Sequence, residues 1–110
     1  MSEQLARFGV SDFNGTPVVS IAGDVDLSNA CELRELLAQF GNAGPLAIDL
    51  SNVTFIDSTG LNAIAQYGRV QLAVGNELFL IVTRTPLRKI FEITSFDQHF
   101  NVLSSLDDLP

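Results

Sequence analysis

The hydrophobic pattern opens with two runs rich in β-branched and aromatic residues, within RFGVSDFNGTPVVSIAGDVD, on either side of NGTP. Asn14-Gly15 supplies the positive φ angles of a tight hairpin turn, so the spacing predicts two antiparallel strands. The period then changes. In LSNACELRELLAQFG, Leu33, Leu36, Leu37 and Phe40 recur at helical spacing while Glu32 and Glu35 face away, which predicts an amphipathic helix. Ser28 or Asn29 is placed to cap it, and Gly41 or Gly44 to stop it.

PLAIDLSNVTFID carries Leu46, Ala47, Ile48, Leu50, Val53, Phe55 and Ile56, the pattern of a central strand buried on both faces, with a bend expected around Ser51-Asn52. A helix is predicted from Thr59 to about Val74. Its apolar positions form two stripes, one of Leu61, Ile64, Ala65 and Leu72 and the other of Ala63, Tyr67, Val70 and Val74, so wide coverage is expected before Gly75-Asn76 ends it. ELFLIVT reads as another buried strand. TPLRKIFEITSF places Thr85 as a cap, Pro86 at the first helical position and Leu87, Ile90 and Phe91 on one face; a last strand lies around residues 100–103. The order ββαβαβαβ predicts an α/β fold, a mixed, mostly parallel sheet packed against helices.

Composition narrows the function classes. The 110 residues are 46% apolar and 17% charged, which fits one folded domain over residues 1–110 rather than a disordered segment. Six basic residues against thirteen acidic ones give a net charge of -7, a field that repels phosphate backbones and anionic lipid, so no nucleic-acid partner is expected. Cys31 alone cannot form an intrachain disulfide, which fits a reducing compartment. MSEQLARFGV does not read as a secretory signal, and the longest apolar runs, such as LFLIV, fall far short of the roughly 20 residues that span a bilayer. A cytoplasmic protein without membrane insertion is the expectation.

The candidate chemistry lies in FIDSTG, residues 55–60, where a strand gives way at once to a helix. Read plainly, Asp57 or Ser58 caps the helix, and Gly60, without a Cβ, lets another backbone or a partner approach closely. Read functionally, Ser58 is a phosphoacceptor. A phosphate there adds a charge of about -1.5 to -2 beside Asp57, with Asp24 and Asp26 as possible neighbours. The helix N-terminus tolerates that anion, whereas a partner surface made for a neutral hydroxyl does not.

IDLSNVTFIDSTGL, residues 48–61, closely resembles the signature of the STAS domain family, in particular bacterial anti-sigma factor antagonists. The resemblance runs over nearly the whole chain, through IAGDVDLSNACELRELL and LFLIVTRTPLRKIFEITSFDQHFNVLSSLDDL, and implies a single STAS domain. It further implies partner switching. The unmodified form binds an anti-sigma factor that is also a serine kinase and so frees the sigma factor; the kinase, with its own ATP and Mg²⁺, then phosphorylates Ser58, and a phosphatase reverses the mark. On this view Asp24, Asp26, Asp57, Ser58, Thr59 and Gly60 form the docking surface, and the chain is not an enzyme. The family's pattern favours Ser58, while spacing leaves Thr59 open. Asn29 stands where relatives often carry threonine, and Ser95 replaces a common glycine, which leaves the turn at EITSF open.

Other chemistries fit less well. A receiver domain needs a lysine late in the chain, and the sole lysine, Lys89, falls inside the third predicted helix. Serine hydrolysis lacks G-x-S-x-G, and the one histidine, His99, reads as a surface or core-edge residue. One histidine and one cysteine do not make a zinc site, and Asp24 with Asp26 reads more simply as a solvated pair. Cys31 reads as a packing residue. No glycine-rich phosphate loop is present, so neither cofactor nor nucleotide is expected. Within the same family, the alternative function is a soluble accessory subunit of a membrane lipid-transport ABC system.

Overall fold

In the computed structural model, residues 6–41 and 44–110 are described, and the chain starts with the expected hairpin. Strands β1 (Arg7–Phe13) and β2 (Thr16–Val25) pair antiparallel, with Phe13 opposite Thr16. Asn14 and Gly15 take φ of 54° and 92° in the turn between them, which suits a side chain tolerant of the left-handed region followed by one that has no Cβ.

Next come α1 (Ala30–Ala38), β3 (Leu46–Ile56), α2 (Ser58–Ala73), β4 (Leu78–Ile81), α3 (Thr85–Ile93), α4 (Phe96–His99) and β5 (Asn101–Leu103), followed by a 3₁₀ turn at Leu106–Asp108. Spatial order equals chain order, β1-β2-β3-β4-β5, and only the β1–β2 pair is antiparallel. The sheet is therefore mixed and mostly parallel, as predicted. Successive right-handed crossovers that always step in one direction place their helices on one face.

Strand alternation sorts the side chains between that face and the other. Val19, Ile48 and Leu80 are register partners and join the main core with Leu33 and Leu37 of α1, Ala63 and Ile64 of α2, and Phe91 of α3. Their neighbours Val18, Ala47 and Phe79 point the opposite way into a smaller cluster with Phe13, Leu103, Leu106 and Leu109. The C-terminal segment thus covers the second face.

Two irregularities in β3 reshape its course along β2. Ser20 pairs with Asp49 but Ala22 with Asn52, and Gly23 pairs with Val53 but Asp24 with Phe55, so β3 carries an extra residue at each step. The bend expected at Ser51-Asn52 is the first of these. At the second, Thr54 and Phe55 both lie outward between buried Val53 and Ile56. The prediction that Phe55 is a core residue is corrected: β3 is not buried on both faces here, and the bulge leaves Phe55 exposed.

Further corrections concern the helices. In α2 the buried residues are Gly60, Ala63, Ile64, Ala65, Gly68 and Gln71, whereas Val70, Leu72 and Val74 are exposed. The inner face of the helix comes so close to the structure below that a Cβ on Gly68 would lie 2.3 Å from Phe100 Cε1, which explains a buried glycine in place of an apolar stripe. Gln71 is buried because its Nε2 donates to the carbonyl of Gly41 at 2.8 Å. Helix α3 begins one residue early, with Arg84 at its N-cap, and Thr85 lies inside it. Helix α4 is an element the pattern missed. Ser95, at φ 63°, breaks it from α3 in the left-handed conformation that a glycine takes more cheaply. Phe96 and Phe100 then fold back into the core, with ring centroids 5.5 Å apart. Cys31, expected to pack, is exposed, with its Sγ 4.0 Å from Glu35 Oε2.

Candidate functional site

Parallel strands that all feed helices bring the C-terminal ends of β2 and β3 and the N-terminal ends of α1 and α2 to one edge of the sheet. Val25 and Ile56 are the last register pair, and the Asp57 N–H donates to the Val25 carbonyl at 3.0 Å, so the turns after the two strands start side by side. Asp24, Asp26, Asp57, Ser58, Thr59 and Gly60 all belong to this edge.

Asp57 is the N-cap of α2, in extended conformation, and its Oδ1 accepts from the N–H of Thr59 at 2.9 Å and of Gly60 at 3.1 Å. The Thr59 hydroxyl donates to the same oxygen at 2.5 Å. That hydroxyl, above all, holds the Asp57 carboxyl below its ordinary value of 3.8; partial burial opposes it, and the N–H groups of Gly60, Thr59 and Leu27 add to it. Asp57 is therefore an anion spent on holding the turn. Of the two candidate caps, it is the one used.

Ser58 is thereby left free for other work. It is the first residue of α2, it is exposed, and its hydroxyl has no hydrogen-bond partner among the described residues, whereas the neighbouring Thr59 is half-buried and committed to Asp57. Gly60 is buried beneath them. A Cβ there would lie 2.7 Å from Val25 Cγ1 and 2.8 Å from Ile56 Cγ1, so the close approach its missing side chain permits is to the chain's own strand ends.

The acidic loop is tied just as firmly. Asp24 Oδ1 accepts from the Thr54 hydroxyl, across from the second bulge. Asp26 Oδ1 accepts from the N–H and hydroxyl of Ser28 at 2.9 and 2.5 Å, while its backbone carbonyl accepts from the N–H groups of Asn29 and Ala30. Asn29 holds the N-cap position of α1 but makes no side-chain cap; its Oδ1 accepts from the Asp26 N–H and its Nδ2 donates to the Asp24 carbonyl, both at 3.0 Å. The expected cap is in this respect corrected: Asn29 clamps the loop instead of the helix. On the other side of the site, Arg84 donates from Nη1 to the carbonyl of Val53 at 3.2 Å, beyond the last β3–β4 register pair, Asp49 with Ile81.

Among the described residues no cluster of three or more His, Cys, Asp or Glu side chains has the placement of a metal site, and no helix is long and apolar enough to cross a membrane. His99 is exposed at the end of α4, remote in sequence from this edge. The residues the pattern missed are Thr54, which fixes Asp24, and the outward Leu27 and Phe55. A lone leucine inside the acidic stretch DVDLSN was the one visible signal.

The STAS domain family model matches residues 10–109. The chain belongs to the STAS domain family. Among STAS relatives, anti-sigma-F factor antagonist RsfB of Mycobacterium tuberculosis is 34% identical over 103 residues, covering 90% of this chain and 82% of the relative. An anti-sigma-B factor antagonist of Bacillus subtilis is 35% identical over 77 residues, covering 69% of this chain and 71% of its own. The crystal structure of an anti-sigma factor antagonist from Mycobacterium paratuberculosis superposes with a TM-score of 0.86 at 27% identity, over 97% of this chain and 92% of that one.

Proposed function

We propose that this chain is an anti-sigma factor antagonist, a regulator that acts by binding and not an enzyme. In its unmodified form it binds an anti-sigma factor that is also a serine kinase, and so releases the sigma factor. Phosphorylation of Ser58 by that kinase switches the binding off, and a phosphatase restores it. Named relatives support the antagonist role. The observation that carries the switch is the division of labour in the turn: Asp57 and Thr59 hold the helix start, and the exposed Ser58 hydroxyl beside them has no structural duty.

That division also favours Ser58 over Thr59 as the acceptor. A kinase must seat the acceptor oxygen in line with a phosphoryl group, and Thr59 reaches that geometry only by breaking its bond to the Asp57 carboxylate; Ser58 gives up nothing. Once formed, the phosphoserine sits at the N-terminus of a 16-residue helix, where the helix dipole favours an anion, the N–H groups of Thr59 and Gly60 being already taken by Asp57. The fold survives the mark. A partner packed against the neutral hydroxyl must instead strip water from a dianion, and each 1.4 kcal/mol or so of that penalty is a tenfold loss of affinity.

Intact-mass analysis after incubation with the cognate anti-sigma factor and ATP tests the assignment. Wild type and Thr59→Ala are expected to gain one phosphate and Ser58→Ala none, while Ser58→Asp binds the anti-sigma factor more weakly than Ser58→Ala. An undiminished mass gain in Ser58→Ala overturns the reading.

A further inference from the structure

The edge that carries Ser58 also displays two large apolar side chains. Leu27, in the loop between β2 and α1, is 78% exposed, and Phe55, near the end of β3, is 53% exposed. Single apolar residues at a surface are ordinary. These two differ in that the backbone holds them out. The Asn29 clamp and the Ser28–Asp26 turn fix the loop on both sides of Leu27. Phe55 is turned outward by the bulge that sets it opposite Asp24, and Thr54 donates to Asp24 there.

Both positions border the switch. Phe55 precedes Asp57 by two residues and Ser58 by three, which limits its Cα separation from Ser58 to about 11 Å. Leu27 follows Val25 by two residues, and the Val25 carbonyl accepts from the Asp57 N–H at 3.0 Å. An exposed serine is thus bordered by two pre-positioned apolar groups, with acids alongside. Asp24 and Asp26 each engage one carboxylate oxygen, Oδ1, within the chain.

We propose that Leu27 and Phe55 are the apolar anchors on which the anti-sigma factor is seated, an inference that rests on the reading of Ser58 as the switch. The partner then offers an apolar surface opposite Leu27, Ser58 and Phe55, and cationic side chains opposite Asp24 and Asp26, which complement a chain of net charge -7. The anchors give the switch its sharpness. Phosphorylation puts a dianion between groups whose burial requires water to leave, so the apolar contact and the phosphate's hydration exclude one another.

Titration calorimetry of the unmodified protein with the anti-sigma factor tests the proposal. Leu27→Ser and Phe55→Ser are each expected to weaken binding about tenfold or more, as truncation of a buried apolar anchor does, and Leu27→Met to stay near wild type. Ile93→Ser, altering a residue 81% exposed at the far end of α3, serves as the control and leaves affinity unchanged. Because Ser58 is intact in both anchor variants, their phosphorylation is expected to show a raised KM with little change in kcat, a split that a general loss of folding does not produce. Wild-type affinity in both Leu27→Ser and Phe55→Ser overturns the anchors alone. Failure of the wild-type protein to bind or to be phosphorylated overturns the reading of Ser58 and the anchors with it.

Discussion

The two helices that start side by side at this edge begin in opposite ways. At α2, Asp57 spends its carboxylate on the helix, accepting the N–H groups of Thr59 and Gly60. At α1, Asn29 turns its side chain backward and spends both amide groups on the backbone of Asp24 and Asp26, with no side-chain bond to the helix. One residue stabilises the helix that carries Ser58. The other stabilises the loop that faces it. Ser58 needs a helix start that does not depend on its own hydroxyl, and the acidic loop needs a fixed shape that its short helix does not supply.

The contrast breaks most severely if α2 is pushed off the strand ends on which its first turn rests. Gly60→Ala places a Cβ 2.7 and 2.8 Å from γ-carbons of Val25 and Ile56, both branched side chains rooted on β-strands with little room to yield. Overpacking of this kind costs roughly 1–3 kcal/mol, and the better helix propensity of alanine returns up to about 1. A net loss of about 1–2 kcal/mol is expected in chemical denaturation. Unchanged stability would show that the α2 start is less constrained than the contacts indicate.

A smaller effect is expected at the cap itself. Asp57→Ala leaves two N–H groups without their acceptor and is expected to lower stability by about 1 kcal/mol near neutral pH. The folded state holds the Asp57 carboxyl below its ordinary 3.8, so its contribution is fully present above that value and is lost as pH falls through the lower, folded value. Wild type and Asp57→Ala are therefore expected to draw together in melting temperature below about pH 4, while Asn29→Ala, which removes no titrating group, keeps a constant gap. Parallel curves for wild type and Asp57→Ala down to pH 2.5 would remove the charge from the account of the cap.

How much of this the chain announced depends on whether a feature is local. Asn14-Gly15 needs only its own backbone preference to make a hairpin turn, and Leu33 and Leu37 need only their spacing to define the buried face of α1. The Asp-Ser-Thr-Gly turn likewise read correctly as a helix start, with two possible caps. What stayed hidden is set by neighbours distant in sequence. Phe55 faces outward because of how β3 registers against β2, Gly68 is buried because Phe100 lies over it, and Asn29 turns from its helix because two loop carbonyl and amide groups are in reach. Periodicity carries no information on any of these. For the same reason Leu27 passed unremarked: its exposure is a property of the clamped loop.

The smallest expected effect is the one that most sharpens the contrast. If Asp57 and Thr59 alone hold the α2 start, the Ser58 hydroxyl contributes nothing to folding, and an exposed position of this kind tolerates substitution within about 0.5 kcal/mol. Ser58→Ala is thus expected to melt with the wild type, whereas Thr59→Ala, which removes the hydroxyl bonded to Asp57, is expected to lower stability by about 0.5–1.5 kcal/mol. Adjacent hydroxyls would then differ in opposite senses, Thr59 mattering for stability and Ser58 for modification. Denaturant melts of the two variants decide the matter, since a Ser58→Ala loss as large as that of Thr59→Ala makes Ser58 part of the helix start and removes its freedom to act as a switch.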